Sequence, residues 1–303
     1  MLIQDEDFEI FRDMTIKVLE TEIIPHYEAW EEAEDMPRDV WHTLGAAGLI
    51  GVDMPETYGG AEASFDICQM ISVEMSRLCL GGLATAYNVH ANIVMPYLNN
   101  LGTEAQKQEW LPRMCTGEII GAIAMSEPGA GSDLQGMKTT AVLDDDEWVI
   151  NGSKTFITNG INAGLVIVCA KTDVSAGAKG ISLLLVDTSL PGFETGKKLK
   201  KIGQHTSDTS ELFFSDLRVP KDAILGQLNG GFIHLMTELP RERLGLAAGS
   251  IGACDGAIEM TCDYVKERKA FGTTIASFQN TRFKLAELKA KSEVSRAYFE
   301  KCI

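Results

Sequence analysis

Apolar residues in the first part of the chain recur at the spacing of an α-helix. Four segments share this period and begin near Phe8, Trp41, Phe65 and Glu104. In each of them the apolar positions return every three or four residues and polar residues occupy the opposite face. The pattern predicts an all-helical N-terminal domain over residues 1–120.

The spacing changes at Gly121. Short apolar or alternating runs, separated by Gly, Asn and Asp, follow one another: EWVINGSK, GLVIVCAK, GISLLLVDT and ELFFSDLRVP. Closely spaced strands of this kind predict an antiparallel β-barrel or sandwich over residues 121–230.

Helical spacing returns at Gly231 and continues to residue 303. The last helix has neither a glycine nor a proline to end it, so we expect the C-terminal helical bundle to be incomplete and the chain to be C-terminally truncated. The predicted fold class is α+β, in the order helical domain, β-domain, helical domain.

Composition and charge narrow the function classes. Lys and Arg number 27 against 43 Asp and Glu, which gives a net charge of −16. Such a chain repels the phosphates of nucleic acids and anionic lipids, so we expect neither as a partner. The seven cysteines are scattered without a C-x-x-C pair, and no apolar run reaches the ~18 residues of a membrane span. We therefore expect a cytoplasmic protein with reduced thiols and no membrane insertion.

Several common site motifs are missing from the sequence. It has no G-x-G-x-x-G turn, no P-loop and no G-x-S-x-G elbow. The five histidines lie far apart, without metal-ligand spacing, so no metal site is predicted.

Two polar segments remain as candidates for chemistry. AMSEPGAGSDLQG, residues 124–136, places hydroxyls, a Glu-Pro turn and three glycines in one loop, and NGSKTFITNG follows at residues 151–160. Exposed backbone N–H groups in such a loop suit a polar cofactor or a phosphate. A tight turn between strands explains the same residues, and the residues alone leave both interpretations open.

Five segments, in order, resemble the landmarks of the acyl-CoA dehydrogenases, flavoenzymes that desaturate acyl-CoA thioesters. They are PETYGG, AMSEPGAGSDLQG, FITNG, SDTSELFF and ERKAFG, and the resemblance extends over nearly the whole chain. It implies FAD as the cofactor, bound between the β-domain and the C-terminal helices without a dinucleotide-binding fold.

The same resemblance implies which residues bind FAD. Those around the isoalloxazine ring are Ile123, Ala124, Met125, Ser126, Phe156, Ile157 and Thr158. Phe156 stands where many members have a tryptophan. Ser132 is implied both beside the flavin loop and as a contact to the CoA portion of the substrate. Arg268, Phe271 and Gln279 are implied to reach the FAD of a neighbouring subunit, which predicts a homo-oligomer, specifically a homotetramer built as a dimer of dimers.

Glu242 lies on a predicted helix whose same face carries glycine at 245, 249 and 252. Each interior glycine costs a helix roughly 1 kcal/mol relative to alanine, so the stripe requires a reason. Close helix packing and a slot for a ligand both provide one. In a slot, Glu242 would lose hydration and the pKa of its carboxyl should rise, as suits a general base, whereas a surface glutamate would do neither.

The segment ELPRERL resembles the long-chain type of acyl-CoA dehydrogenase, which has its base on this helix. The resemblance implies Glu242 as the catalytic base, with Glu238 as the weaker alternative. Ser132, Arg241 and Arg243 are implied as substrate-binding residues. The implied reaction removes the pro-R α-proton of an acyl-CoA and yields a trans-2-enoyl-CoA, as in fatty acid β-oxidation.

The resemblance also implies an electron-transfer flavoprotein as the electron acceptor. Small residues in LATAYNVHANIVM favour long or branched acyl groups if they line the pocket, although helix packing explains them equally well. Three alternatives stay open: an oxygen-reducing relative such as an acyl-CoA oxidase or flavin monooxygenase, a DNA-binding member that the charge argues against, and an inert scaffold.

Overall fold

Seven α-helices make up the N-terminal third of the computed structural model, which describes residues 6–303. Two π-helical segments, Leu19–Ile23 and Asn88–Val94, join successive helices without a break. The helices are α1 (Glu6–Val18), α2 (Ile24–Ala33), α3 (Asp39–Ala46), α4 (Phe65–Arg77), α5 (Gly81–Tyr87), α6 (Met95–Leu101) and α7 (Glu104–Cys115). The helical prediction for this part of the chain is confirmed.

Helix α4 lies at the centre of the helical layer. Every residue from 68 to 76 is buried, including the polar side chains of Ser72 and Glu74. The Glu74 carboxylate accepts hydrogen bonds from Arg12 on α1 and Arg77 on α4 itself, at 2.7 and 2.6 Å. This pairing allows a charged residue to lie inside the layer, because a buried carboxylate without partners would be strongly unfavourable.

The β-domain is one twisted sheet of eight strands in the order β6-β7-β3-β2-β4-β5-β8, with β1 alongside β4. The strands are β1 (Gly121–Ala124), β2 (Thr140–Asp144), β3 (Glu147–Thr158), β4 (Leu165–Lys171), β5 (Ile181–Asp187), β6 (Phe193–Thr195), β7 (Thr209–Pro220) and β8 (Ile224–Leu225).

Most strand pairs in this sheet are antiparallel, as the sequence predicts, but β4 has two parallel neighbours. It pairs in parallel with β1 along four positions and with β2 at Thr140 and Lys171. The sheet is therefore mixed. The first six residues of β4 are all buried, and the sequence of this strand is accordingly an unbroken apolar run. Such a run is typical of strands in parallel pairings.

The C-terminal region consists of the 37-residue helix α8 (Gly231–Glu267), a small hairpin of β9 (Lys269–Ala270) and β10 (Thr273–Thr274), and α9 (Gln279–Cys302). Helix α8 packs along α4, and Asp255 on α8 accepts hydrogen bonds from Ser292 and Arg296 on α9. Within residues 6–303, no helix combines the length and the apolar character that a membrane span requires.

Asn159 is one of several residues whose side chains connect the helical layer to the β-domain. Asn159 has a left-handed backbone with φ of 63°. Its Nδ2 donates to the carbonyl oxygen of Ala86 on α5 at 2.9 Å and to that of Gly121 on β1 at 3.2 Å. The amide therefore fixes the spacing between the helices and the strand that leads into the candidate flavin loop.

Candidate active site

A buried ion pair closes the loop that follows β1. The Glu127 carboxylate accepts from the backbone N–H groups of Lys138 at 2.6 Å and Thr139 at 3.0 Å, and from Lys154 Nζ at 2.9 Å. Lys154 Nζ also donates to the carbonyl oxygen of Met125 at 3.1 Å. Burial raises the pKa of Glu127, but these hydrogen bonds and the lysine charge outweigh it and leave the pKa below its usual value. The loop is thereby held against β3.

The two segments that sequence analysis assigns to the flavin meet at this point. The Thr155 N–H donates to the carbonyl oxygen of Ser126 at 2.9 Å. The next residue, Phe156, lies in a β-bulge with a left-handed φ of 59°, and its side chain is 71% exposed. The half-buried hydroxyls of Ser126 and Thr158 have no hydrogen-bond partner within residues 6–303.

These features fit a flat, polar aromatic cofactor. A left-handed backbone at a non-glycine residue costs on the order of 1–3 kcal/mol, and such residues occur in turns and at functional sites. Here that strain holds an aromatic ring in the open, next to hydroxyls that are free to bind a ligand. Ile123, Ala124 and Ile157 are buried, so their side chains are not exposed for contact with a cofactor.

Glu242 lies on α8 and is half-buried. Its Oε1 accepts a hydrogen bond from the hydroxyl of Tyr97, on α6, at 2.7 Å. Burial raises the pKa of Glu242, the Tyr97 hydrogen bond opposes this, and the charge of Glu238 adds to it. The net shift is upward, so the rise in pKa predicted for a base in a slot is present.

Glu242 lines a cleft of about 540 Å³ between α8 and the helices α4 and α5. Gly245 and Gly249 form its floor on the α8 side. A Cβ added at Gly245 would lie 2.8 Å from Asn88 Oδ1, and one at Gly249 would lie 3.4 Å from Ser76 Oγ. Gly245 therefore packs closely against Asn88, whereas Gly249 borders open space in the cleft.

The other end of the glycine stripe serves helix packing. A Cβ added at Gly252 would lie 2.2 Å from the carbonyl oxygen of Val73, and one at Gly256 would lie 2.1 Å from that of Arg77. Both carbonyls belong to α4. Close packing therefore explains the glycines on this part of α8, and the ligand slot stays a prediction.

The buried thiol of Cys169 lies between the two candidate sites in the electrostatic sense. Cys169 on β4 lies one residue beyond the strand partner of Ala124. Burial raises the pKa of Cys169 to about 12, the charge of Lys154 opposes this, and the charges of Glu242 and Glu127 add to it. The candidate base and the Glu127–Lys154 pair therefore both act on the charge state of this thiol.

Glu238, the alternative base, is buried one turn before Glu242, with 8% of its surface exposed. Both of its carboxylate oxygens accept from Nδ2 of Asn100, at 3.1 and 3.2 Å. It does not belong to the lining of the Glu242 cleft. The geometry therefore favours Glu242.

The two arginines beside Glu242 differ in their surroundings. Arg243 is exposed and lines the cleft, in agreement with a substrate contact. Arg241 instead pairs with Asp53, and its guanidinium lies over the ring of Phe65, 4.7 Å from the centroid. The position of Arg241 gives no support to its predicted contact with substrate and points to a role in holding α8 against the helical layer.

The remaining predicted residues are exposed. Ser132 lies in the loop after β1, Arg268 and Phe271 lie at the β9–β10 hairpin, and Gln279 begins α9. Phe271 is 97% exposed on a backbone with φ of 54°. Exposure of these side chains is compatible with contacts to another subunit. In the described part of the chain, no group of His, Cys, Asp and Glu has the geometry of a metal site.

Several supporting residues carry little signal in the sequence. Tyr97 lies 145 positions from Glu242, and nothing in the pattern connects them. Lys154 gives a weak signal in the sequence. It lies within a predicted strand, and a lysine that is buried in a strand needs an acidic partner. The pair Asn159-Gly160 predicts a turn. It does not predict that the Asn159 side chain bonds to carbonyl oxygens in both the helical domain and the β-domain.

Comparison with known proteins shows that the chain belongs to the acyl-CoA dehydrogenase family. Models of the N-terminal, middle and C-terminal domains of acyl-CoA dehydrogenase match residues 5–118, 122–217 and 229–303. The chain is 45% identical to the mitochondrial long-chain specific acyl-CoA dehydrogenase of Mus musculus, over 98% of this chain and 69% of that protein.

Two further relatives belong to the same family. The mitochondrial isovaleryl-CoA dehydrogenase of Solanum tuberosum is 37% identical over 98% of this chain and 72% of its own length. The crystal structure of an acyl-CoA dehydrogenase from Geobacillus kaustophilus superposes with a TM-score of 0.95 at 42% identity, covering 99% of this chain and 80% of that one. The predicted family and fold class are thus confirmed.

Proposed function

We propose that the protein is an FAD-dependent acyl-CoA dehydrogenase that converts a fatty acyl-CoA to a trans-2-enoyl-CoA. The observation that carries the proposal is the position of Glu242: half-buried, hydrogen-bonded by Tyr97, and lining a cleft between α8 and the N-terminal helices. A carboxylate with a raised pKa is suited to accept a carbon-bound proton near neutral pH.

FAD fits the exposed Phe156 and the free hydroxyls of Ser126 and Thr158. A similar acyl-CoA dehydrogenase from Bacillus anthracis has been solved in complex with FAD, with a TM-score of 0.92. When bound, FAD supplies the acceptor for the hydride that leaves the β-carbon. We assign the ring contacts to Ile123, Ala124, Met125, Ser126, Phe156, Ile157 and Thr158, and the contacts to a neighbouring subunit's FAD to Arg268, Phe271 and Gln279.

The protein's own residues handle the proton and the thioester. Glu242 takes the α-proton through its carboxylate, and the cleft around it limits the access of water, which strengthens the electrostatic interactions there. We assign the contact to the CoA portion to Ser132 and a contact beside the thioester's path to Arg243. Arg243 carries a positive charge at the rim, where an anionic substrate enters.

The acyl group is proposed to be long or branched. The relatives named above are long-chain specific and isovaleryl-CoA dehydrogenases, and a third, from Solanum tuberosum, is a 2-methylacyl-CoA dehydrogenase. Gly249 leaves space in the cleft about two turns of α8 beyond the base. Extra width along the cleft suits a long or substituted acyl chain.

We further propose an electron-transfer flavoprotein as the acceptor and a homotetrameric assembly. A similar chain occurs in the solved structure of the electron transferring flavoprotein of Acidaminococcus fermentans, with a TM-score of 0.94. The exposed Phe271 and Arg268 provide a surface for a second copy of the chain. The cytoplasmic location remains a prediction, and the relatives named from mouse and potato are mitochondrial.

Anaerobic titration tests the function. The purified protein should show a flavin absorption spectrum that bleaches with one class of acyl-CoA. Glu242→Gln should bind FAD and acyl-CoA but bleach at least about a hundredfold more slowly, because general base catalysis contributes roughly 10²–10⁴-fold. Glu238→Gln is the matched control and should still bleach.

Two outcomes would contradict the assignment. If Glu238→Gln abolished bleaching and Glu242→Gln did not, the base would be Glu238. If reduced flavin reacted with air as fast as free reduced flavin does, even with enoyl-CoA bound, the oxygen-reducing alternative would be favoured.

A further inference from the structure

Tyr97 stands out as a buried polar group that lies beside the base and outside the cleft. Its side chain is 1% exposed and packs in the apolar core of the helical layer. Burial, and then the charge of Glu242, raise the pKa of the Tyr97 hydroxyl, so the phenol keeps its proton. It is therefore the donor in the 2.7 Å contact to Glu242 Oε1.

This contact distinguishes the two oxygens of the carboxylate. Oε1 is held by Tyr97 from the side of α6, whereas α8 presents Glu242 to the cleft. A carboxylate held at one oxygen keeps the lone pairs of the other for an incoming proton. Because the Tyr97 ring is fixed by the core, the direction of the carboxylate is fixed with it.

We propose that Tyr97 is the positioning residue for the base: it holds Glu242 Oε1 so that Oε2 faces the substrate α-carbon, and its hydrogen bond favours the ionised carboxylate over the protonated one. This inference rests on the proposed function and adds a residue that touches neither substrate nor cofactor. On this proposal, the pH dependence of the reaction is set in part by the hydrogen bond between Tyr97 on α6 and Glu242 on α8.

The charged and titratable groups around Glu242 define the expected effect. Glu238 lies on the same helix, Cys169 faces it from β4, with the Glu127–Lys154 pair beyond, and Arg243 lies at the cleft. Within residues 6–303, Tyr97 gives Glu242 its hydrogen bond. Without it, burial and the charge of Glu238 act unopposed, and the carboxyl holds its proton to higher pH.

The test uses Tyr97→Phe and Glu238→Gln in the flavin-loaded protein. Flavin reduction by acyl-CoA is measured against pH under anaerobic conditions. Tyr97→Phe should move the rising limb of the rate to higher pH and lower the rate at pH 7 roughly tenfold, because a hydrogen bond to a charged group is lost. Substrate KM should change little. Glu238→Gln should move the limb the opposite way, to lower pH.

A second measurement reports on the carboxyl without catalysis. Infrared difference titration, with Glu242→Gln as the reference, follows protonation of Glu242 in each variant. The proposal expects the Glu242 signal to titrate at higher pH in Tyr97→Phe, with flavin content and melting temperature close to the parent. An unchanged pH profile and an unchanged infrared titration in a folded, flavin-loaded Tyr97→Phe would overturn it.

Failure of the proposed function looks different. In that case the parent itself would show no bleaching with any acyl-CoA, whereas the infrared titration would still report whether Tyr97 holds Glu242 ionised. A Tyr97→Phe protein that lost flavin or melted much earlier would show that the hydroxyl is needed for folding; the infrared titration at low temperature would then decide the positioning role.

Discussion

The close contact between α8 and α4 predicts that Gly252→Ala destabilises the protein. The added Cβ would lie 2.2 Å from the Val73 carbonyl oxygen and 3.0 Å from Ser76 Cβ. The carbonyl is backbone and cannot rotate away, so the two helices must separate by roughly 1 Å. Overpacking of this kind costs about 3 kcal/mol at the upper end of its usual range, and alanine returns about 1 kcal/mol through helix propensity. We expect a net loss of roughly 2 kcal/mol.

Gly249→Ala is the matched control on the same face of α8. Its added Cβ would meet only Ser76 Oγ, at 3.4 Å, which is an ordinary contact. This variant should be as stable as the parent or more stable by up to about 1 kcal/mol. Thermal unfolding at fixed flavin concentration should place Gly252→Ala several degrees below Gly249→Ala. A Gly252→Ala protein that melts at or above the temperature of Gly249→Ala would refute the packing role of this glycine.

Three other predictions concern buried and strained groups. Burial lowers the pKa of His90 from 6.5 to about 4. As the pH falls from about 6.5 to about 4, His90 becomes protonated in the unfolded chain but stays neutral in the folded protein. The free energy of unfolding should therefore fall by up to about 3 kcal/mol across this range. Urea midpoints from pH 7 to pH 4 should fall less steeply in His90→Gln. Lys154→Met leaves the Glu127 carboxylate buried without its cation, so the free energy of unfolding should fall by about 3–5 kcal/mol and flavin should be released on gel filtration. The double variant with Glu127→Gln should recover part of the lost melting temperature. Phe156→Gly removes the backbone strain at φ of 59°, so the flavin-free variant should be as stable as the parent or up to about 1–2 kcal/mol more stable. FAD titration should show weaker binding to this variant. An FAD affinity equal to that of the parent would contradict a role for the Phe156 ring.

The local pattern of the sequence predicts the elements well, because helical and strand periods are properties of neighbouring residues. The pairing of the strands is harder to predict from the sequence. β1 pairs in parallel with β4, about forty positions further on, and no local period encodes that choice. A sheet built from short strands is therefore predicted as antiparallel by default, and the exception appears only once the chain path is known.

The candidate site shows the same division. Helix geometry separates Arg241 and Arg243 by about 200° around α8, so they must face different surroundings. Only the fold shows that Arg241 meets Asp53 from a loop 188 positions earlier and that Arg243 lines the cleft. The glycine stripe likewise leaves two explanations open in the sequence, because close packing and a ligand slot require the same small residue. The structure shows close packing at Gly245, Gly252 and Gly256 and open space beside Gly249.

The amide that joins the helices to the sheet is also a point of chemical ageing. Asn159 is followed by Gly160, and asparagine before glycine is the pairing most prone to deamidation through a cyclic imide. Conversion to aspartate would turn a donor into an acceptor in front of the carbonyl oxygens of Ala86 and Gly121. A buried negative charge would then face both oxygens. Old or heat-stressed preparations should therefore loosen at the contact between the two layers before either core unfolds, and peptide mapping would distinguish conversion at Asn159 from conversion at the exposed Asn151 and Asn229, which also precede glycine.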